Sequence, residues 1–425
     1  MRKRVLIALL LLATTATAQR HRAAAPEPAD VPASWLAQHA AAISVEPNGS
    51  TADLAALRHI VGDATTVALG DATHGTHEFM AVKLRMVQFL VQEMGFQTLA
   101  VEGSFPTFNR LNEYVVHGNG NPRELLLRAG LLGYSFWDSE EFLAVVEWLR
   151  QYNATRGDKP PVELAGFDLF EEAGAASDLI WYLTALDAAA AQEATRVFGA
   201  CRGQRPTPPA CRTEMRAIYD RLAARRDELV ARTSPRAFDD ALQNARIAAR
   251  AYEGNPWSKD HRDAAMAANV RWIKEHRGPK LILWGHQEHL GRTVIQLDGS
   301  NPMGRLLANT LGDDYVVIGT CAWSGSFEQY LWSADQQKFR RIVNPFRPAT
   351  EESHEAHFRA AGKPALLIPL RREAPEWLKA PRTLRVASTY PSAQGADWVL
   401  TEVLPDKLDA TVYVELTTPL KRLAH

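Results

Sequence analysis

Only three cysteines occur among the 425 residues, too few for a scaffold built on disulfides. Neither sign of charge dominates: 48 Lys and Arg stand against 49 Asp and Glu. That balance offers no concentrated basic surface of the kind a nucleic-acid backbone demands. After the first residues no apolar run approaches the ~20 residues that cross a bilayer. Several catalytic signatures are missing too. No G-x-S-x-G turn presents a nucleophilic serine, and there is no H-E-x-x-H zinc helix, P-loop or G-x-G-x-x-G phosphate turn. The chain also lacks internal repeats and low-complexity tracts.

What is present begins at the amino terminus. Met1–Arg4 is cationic, Val5–Ala13 apolar, and Ala16-Thr17-Ala18 fits a cleavage site before Gln19. Residues 1–18 therefore read as a signal peptide, which predicts a periplasmic or secreted protein with no membrane contact after cleavage. Losing Arg2, Lys3 and Arg4 leaves the mature chain mildly acidic. Residues 19–50 are a leader rich in Ala and Pro that joins the fold near Pro32–Ile43, and 51–425 form one large domain. Cys201 and Cys211 flank a polar, proline-containing loop. A bond between them would close a short ring, and the sequence leaves that pairing open. Cys321, at the end of an apolar run, reads as an inert buried thiol.

From Thr66 onward short apolar runs alternate with helix-like stretches. Runs at Thr66–Leu69, Thr98–Val101, Glu163–Gly166, Lys280–Trp284 and Tyr315–Ile318 read as buried strands, with later candidates at Ala365–Ile368 and Thr411–Glu415. Glu78–Met94 carries apolar residues at helical spacing and stops at Gly95. This order predicts an α/β fold with a mostly parallel central sheet flanked by helices. Between about 175 and 255 strand signals vanish, which predicts an α-helical insertion lying over one edge of the sheet and covering the cleft.

Ligands of open α/β sheets bind outside the carboxyl ends of the strands. Polar residues gather at those ends here: Asp71 and His74 after the first run, Glu102 after the second, Asp168 after the third, His286 and His289 after the fourth. Taken singly most have a plain reading. Asp168 is an ordinary turn or cap residue, His77 packs or caps its helix, and His354 and His357 sit in a polar segment where solvent exposure is expected. Glu102 directly follows an apolar run, so its buried carboxylate needs a partner. The helix Asp260–Glu275 places Arg262, Met266, Asn269 and Ile273 on one face; the plain alternative for Arg262 is a surface pair with Asp263. His74, His77, His286 and His289 with Glu102 also leave a metal site open.

The stretch Gly70-Asp71-Ala72-Thr73-His74-Gly75-Thr76-His77-Glu78-Phe79 resembles the G-E-x-T-H-G-x-x-E-F signature of the erythromycin esterase family. Leu99-Ala100-Val101-Glu102, Trp148-Leu149-Arg150-Gln151-Tyr152-Asn153, Arg262-Asp263 with Met266 and Asn269, and Trp284-Gly285-His286-Gln287-Glu288-His289 are similar to its later blocks, in the family's order. The resemblance implies a cofactor-free carboxylic ester hydrolase acting on a small-molecule ester or lactone, with a macrolide as a candidate substrate. It implies His74 as general base, Glu102 and Asp71 orienting it, and His286, His289 and Arg262 polarising the carbonyl. Lys83, His77 and Asn269 are implied to contact substrate. Asp71 departs from the family's Glu, Gln287 from its Asn, and Lys83 from an Arg of macrolide-cleaving members, which bears on macrolide recognition. Two alternatives stay open: a metal-dependent hydrolase using the same His/Glu cluster, and an exported ligand-binding protein of haem type without turnover.

Overall fold

Along each apolar run successive side chains point to opposite faces of a sheet, and here both faces are covered. Ala68, Ala100, Ala165, Leu283 and Val317 lie in one core. Val67, Leu69, Leu99, Val101, Ile282, Trp284 and Val316 lie in the other. The computed structural model of the chain describes residues 30–424, apart from 132–135, 205, 256–257, 334–337, 373, 388 and 390–396. The signal peptide expected at residues 1–18 and the expected leader up to residue 29 lie outside the described residues.

Among the described residues eleven strands follow in chain order: β1 (Ala41–Ala42), β2 (Thr66–Asp71), β3 (Thr98–Ser104), β4 (Glu163–Asp168), β5 (Leu281–His286), β6 (Tyr315–Ser333), β7 (Lys338–Phe346), β8 (Ala365–Pro369), β9 (Arg382–Val386), β10 (Trp398–Glu402) and β11 (Ala410–Thr417). The main sheet runs β1-β8-β11-β6-β2-β5-β3-β4, with β7 paired to β6; β9 and β10 form a separate hairpin. From β11 to β4 every pairing is parallel, while β8 and β1 add an antiparallel edge. All seven expected strands are present. The leader joins as a helix, Asp30–His39, and the short strand β1.

Two features were not legible. β6 is far longer than its apolar run, because at Gly325 it exchanges β11 for β7 as neighbour. Gly325 has φ +134°, and a Cβ there would lie 2.2 Å from the Thr417 carbonyl oxygen, so no other residue fits this bend. The second is His354. It is buried, not exposed, with Nε2 against the Glu402 carbonyl oxygen at 2.9 Å. Burial pushes its pKa down to about 4.

The described residues of the expected insertion form helices joined by short turns: Glu172–Thr184, Ala188–Cys201, Pro209–Ala224, Arg226–Arg232 and Pro235–Glu253. Its apolar faces extend one of the two sheet cores past the β4 edge, and Arg236 anchors it to Glu163 at the start of β4 (2.7 Å). Cys201 and Cys211 are bonded, with Cα atoms 5.7 Å apart. Cys321 is buried and free. Closing so short a ring stabilises by about 2–3 kcal/mol in the chain-entropy model. Replacing both bonded cysteines with serine should lower the thermal midpoint by several degrees and abolish its sensitivity to reductant. An unchanged midpoint would show that the bond contributes nothing to the fold.

Candidate active site

β5 enters the sheet between β2 and β3, so the carboxyl ends of three strands lie side by side. Asp71 ends β2, Glu102 lies near the end of β3, and His286 ends β5. Gly285 lets Glu102 fold over β5: a Cβ there would lie 2.9 Å from Glu102 Oε2. His74 stands in the turn after β2. That turn is pressed so closely to the backbone of Glu328 that Gly75 has no room for a Cβ, which would lie 2.1 Å from the Glu328 carbonyl oxygen.

His74 is buried between two carboxylates. Its Nδ1 is 2.8 Å from Asp71 Oδ1 and its Nε2 is 3.8 Å from Glu102 Oε2. The Asp71 contact is an ion pair when His74 is protonated, and it has no aligned N–H···O hydrogen bond. Burial disfavours the imidazolium, yet Asp71 and Glu102 outweigh it and raise the His74 pKa above its ordinary value. Asp71 also accepts a hydrogen bond from Lys83 Nζ. Burial would raise the Asp71 carboxyl, but His74 and Lys83 hold it far below the usual carboxylate range.

Glu102 is the best-compensated group. Its Oε1 accepts from Arg262 Nη2 (2.8 Å) and its Oε2 from the His286 main-chain N–H (2.7 Å). Burial acts to raise its pKa, and His289, Arg262 and His74 together pull it down to about 2. Arg262 forks onto Asp168, with Nε to Oδ1 at 2.9 Å and Nη2 to Oδ2 at 2.6 Å, and its guanidinium lies over Phe170. Its Nη1 is 3.0 Å from His289 Nε2, while His289 Nδ1 faces Asp263 at 2.9 Å. Burial disfavours a charged His289 while Asp263 and Glu102 favour one and raise its pKa. The Arg262 contact nonetheless fixes the resting tautomer: only an unprotonated Nε2 accepts that N–H. Among the described residues four of the five Arg262 N–H groups are thus occupied, and one on Nη1 remains for a ligand.

The remaining sequence candidates sit otherwise than expected. His286 uses both ring nitrogens on main chain: Nδ1 accepts from Glu288 N (3.3 Å) and Nε2 lies 3.1 Å from the Ala387 carbonyl oxygen. Burial and the neighbouring His74 push its pKa down to about 4, so it is a neutral brace and not a free donor. Lys83 is fully buried behind Asp71, 4.3 Å over the Trp284 ring, and does not reach the cleft. Asn269 ties the Phe167 carbonyl to Gln243 of the insertion. His77 pairs with Glu141 at 2.7 Å. Asp168, given a plain turn reading, holds Arg262. Asp263 is fully buried and pairs with His289, not with Arg262 on the surface. It also accepts from Met303 N (2.7 Å).

Sequence reasoning missed Trp137, whose ring is 6.4 Å from that of His74, and Glu171, which accepts from Thr107 Oγ1 at 2.8 Å. Both line a cavity of about 40 Å³ together with Glu102, Phe108, Asp168 and Phe170. That is room for little more than a water. Phe170 and Glu171, which immediately precede the first helix of the insertion, form part of the cavity wall. A wider cavity of about 260 Å³, beside Tyr315, Arg371 and Asp409, opens at the opposite end of the strands and holds none of these histidines. Among the described residues no set of three His, Cys, Asp or Glu side chains is arranged around a metal, and any cation would compete with Arg262 for Glu102.

A family model described as erythromycin esterase matches residues 91–417. The matched span holds Glu102, Arg262, His286 and His289; Asp71, His74 and Lys83 precede it. The protein YbfO of Bacillus subtilis (strain 168), which carries a hydrolase name, is 23% identical over 91% of this chain and 91% of its own length. Erythromycin esterase type II of Escherichia coli is 24% identical over 82% of this chain and 90% of its own. A solved Bacillus cereus protein superposes with TM-score 0.79 at 25% identity, covering 94% of this chain and all of the other. A solved erythromycin esterase mutant in an open conformation shares the fold with TM-score 0.70 at 19% identity, over 91% and 99% of the two chains. The chain belongs to the erythromycin esterase family and is, at that level, a hydrolase.

Proposed function

We propose that the site hydrolyses a carboxylic ester or lactone of a small molecule with a water activated by His74. One observation carries this reading: His74 lies between Asp71 and Glu102, beside an Arg262 with one N–H to spare. Asp71 steadies the Nδ1 side of the ring, and the Nε2 lone pair faces Glu102. A water alongside that 3.8 Å gap reaches both Nε2 and Glu102 Oε2. As it attacks the carbonyl carbon, its proton passes to Nε2, and Arg262 Nη1 donates to the oxyanion. A donor of this kind is worth about 3–4 kcal/mol in the transition state. The tetrahedral adduct collapses, the carbon–oxygen bond breaks, and the leaving alkoxide takes its proton back from Nε2. His286 and His289 act as braces in this scheme.

A macrolide lactone is one substrate to test, since a relative is named for it. The cavity is far below the ~300 Å³ of a drug-sized pocket, so a ring of that size requires the walls to part. We place the activity outside the cytoplasm, on the signal-like residues 1–18, and cell fractionation tests that placement.

The deciding measurement is hydrolysis of a panel of macrolides, lactones and simple esters by mature protein, with chelator and haem titration in parallel. Turnover should survive chelator and fall at least about 10³-fold in His74→Ala. Undiminished activity in that variant would refute the role of His74, and stoichiometric metal with chelator sensitivity would favour metal chemistry. A Soret band without turnover would favour haem capture. The pH profile adds a second test. Because His74 must be neutral to act and its pKa is raised, kcat/KM should climb with pH along a limb lying above ~6.5. Glu102→Gln removes an anion that favours the imidazolium, so the limb should move to lower pH. A limb that stays put or moves upward would contradict the pairing.

A further inference from the structure

Beyond β11 the chain runs beside the segment that follows His74. Thr418 N and Oγ1 both donate to the Glu78 carboxylate at 2.7 Å, and His77 N donates to the Thr418 carbonyl oxygen at 2.9 Å. Thr76, two residues after His74, bridges to Pro419. Farther on, Lys421 N donates to the Glu141 carboxylate at 3.1 Å, while Glu140 N donates to the Lys421 carbonyl oxygen at 2.8 Å. Ser139 bridges to Arg422, and Leu423 N reaches the Asp138 carbonyl oxygen at 3.2 Å. Leu420 and Leu423 are buried in the core that also holds Trp137. Arg422 reaches Glu328, whose main chain packs on Gly75.

Two segments are therefore stitched by one. The first carries His74 and the second carries Trp137, whose ring centroids lie 6.4 Å apart with the planes tilted by 44°. Neither is joined to the other by a regular strand; both form main-chain hydrogen bonds with Thr418–Leu423. Glu78 and Glu141 are buried carboxylates that hold this segment from below, and His77 completes the seam through Glu141. Most helix-start glutamates answer to the N–H groups of their own helix. Glu78 instead gives its oxygens to a residue 340 positions away.

We infer that Thr418–Leu423 is a strap that sets the distance between His74 and Trp137, with Glu78 and Glu141 as the positioning residues through which it acts. This rests on the hydrolytic reading of the site for its kinetic consequence, but not for its structural one. A base displaced by an ångström loses on the order of tenfold to a hundredfold in rate without losing substrate affinity. The strap is thus a determinant of kcat more than of KM, although none of its residues touches the reacting atoms.

The test combines hydrogen exchange with kinetics on the full chain. Glu78→Ala should speed amide exchange over residues 72–79 and 137–142, lower kcat about tenfold or more, and leave KM within about twofold. Glu78→Gln keeps an acceptor for the Thr418 N–H and should restore kcat to within about threefold of wild type. Lys421→Pro removes the N–H given to Glu141 from the strap's exposed side and should loosen 137–142 without touching any cleft residue. It serves as the second route if Glu78→Ala fails to fold. Unchanged local exchange in the variants would overturn the inference, as would a Glu78→Gln no better than Glu78→Ala or a loss confined to KM. If the wild type hydrolyses nothing, the exchange experiment still decides whether the strap holds the two segments, and the failure then belongs to the proposed reaction alone.

Discussion

The ionised carboxylate of Glu102 is the constraint around which the centre is arranged. A buried, unpaired carboxylate is untenable, and removing one partner from such a pair costs about 3–5 kcal/mol. Arg262 and the His286 N–H are its answers. Each answer then needs its own support: Arg262 is locked by Asp168 and by His289, and His289 by Asp263. Gly285 is the geometric counterpart, since only a residue without Cβ lets that carboxylate lie on β5. Three strands and one long helix are thereby bound to one charge.

A second chain of compensation runs from Lys83 through Asp71 to His74. Lys83 is fully buried, with an indole beneath it and one carboxylate before it. Burial drives its pKa down, opposed by Asp71. Its ammonium thus keeps Asp71 ionised from the rear while His74 meets it from the front. The lysine acts on the base through an intervening anion, a role that a contact-based expectation for substrate does not contain.

How much of this was written in the sequence follows from how local each feature is. The parallel strands were legible because Val67-Ala68-Leu69 and its counterparts are short, apolar on both faces and separated by helical spacing. The gathering of Asp71, Glu102, Asp168 and His286 at strand ends followed from the same pattern. The roles of Asn269, His77 and His286 were not legible, since each depends on which distant atom lies opposite: Phe167, Glu141 and Ala387. The plain alternative of a surface pair between Arg262 and Asp263 does not hold, because adjacent residues on a helix point about 100° apart and Asp263 turns away to His289. Trp137 follows no strand and lies in no periodic run, so nothing nearby marks it. His354 reads as exposed because its neighbours are polar, and only the β9–β10 hairpin beside it explains its burial.

The order of strands has a consequence for the birth of the molecule. His74 and Glu102 are made within thirty residues of each other, yet the strand that separates them in space, β5, ends only at residue 286. At ordinary rates of synthesis, roughly ten to forty seconds pass between the making of β3 and the completion of β5. Until β5 is made the edges of β2 and β3 that it joins stay unfilled, Arg262 follows Glu102 by 160 residues, and the main-chain donor to Glu102 arrives only with His286 itself. The nascent chain has no stable partial version of this centre to rest in. Its assembly is a late, concerted event, governed by contacts of long sequence separation, and a chain kept unfolded until its second half is available loses nothing by waiting.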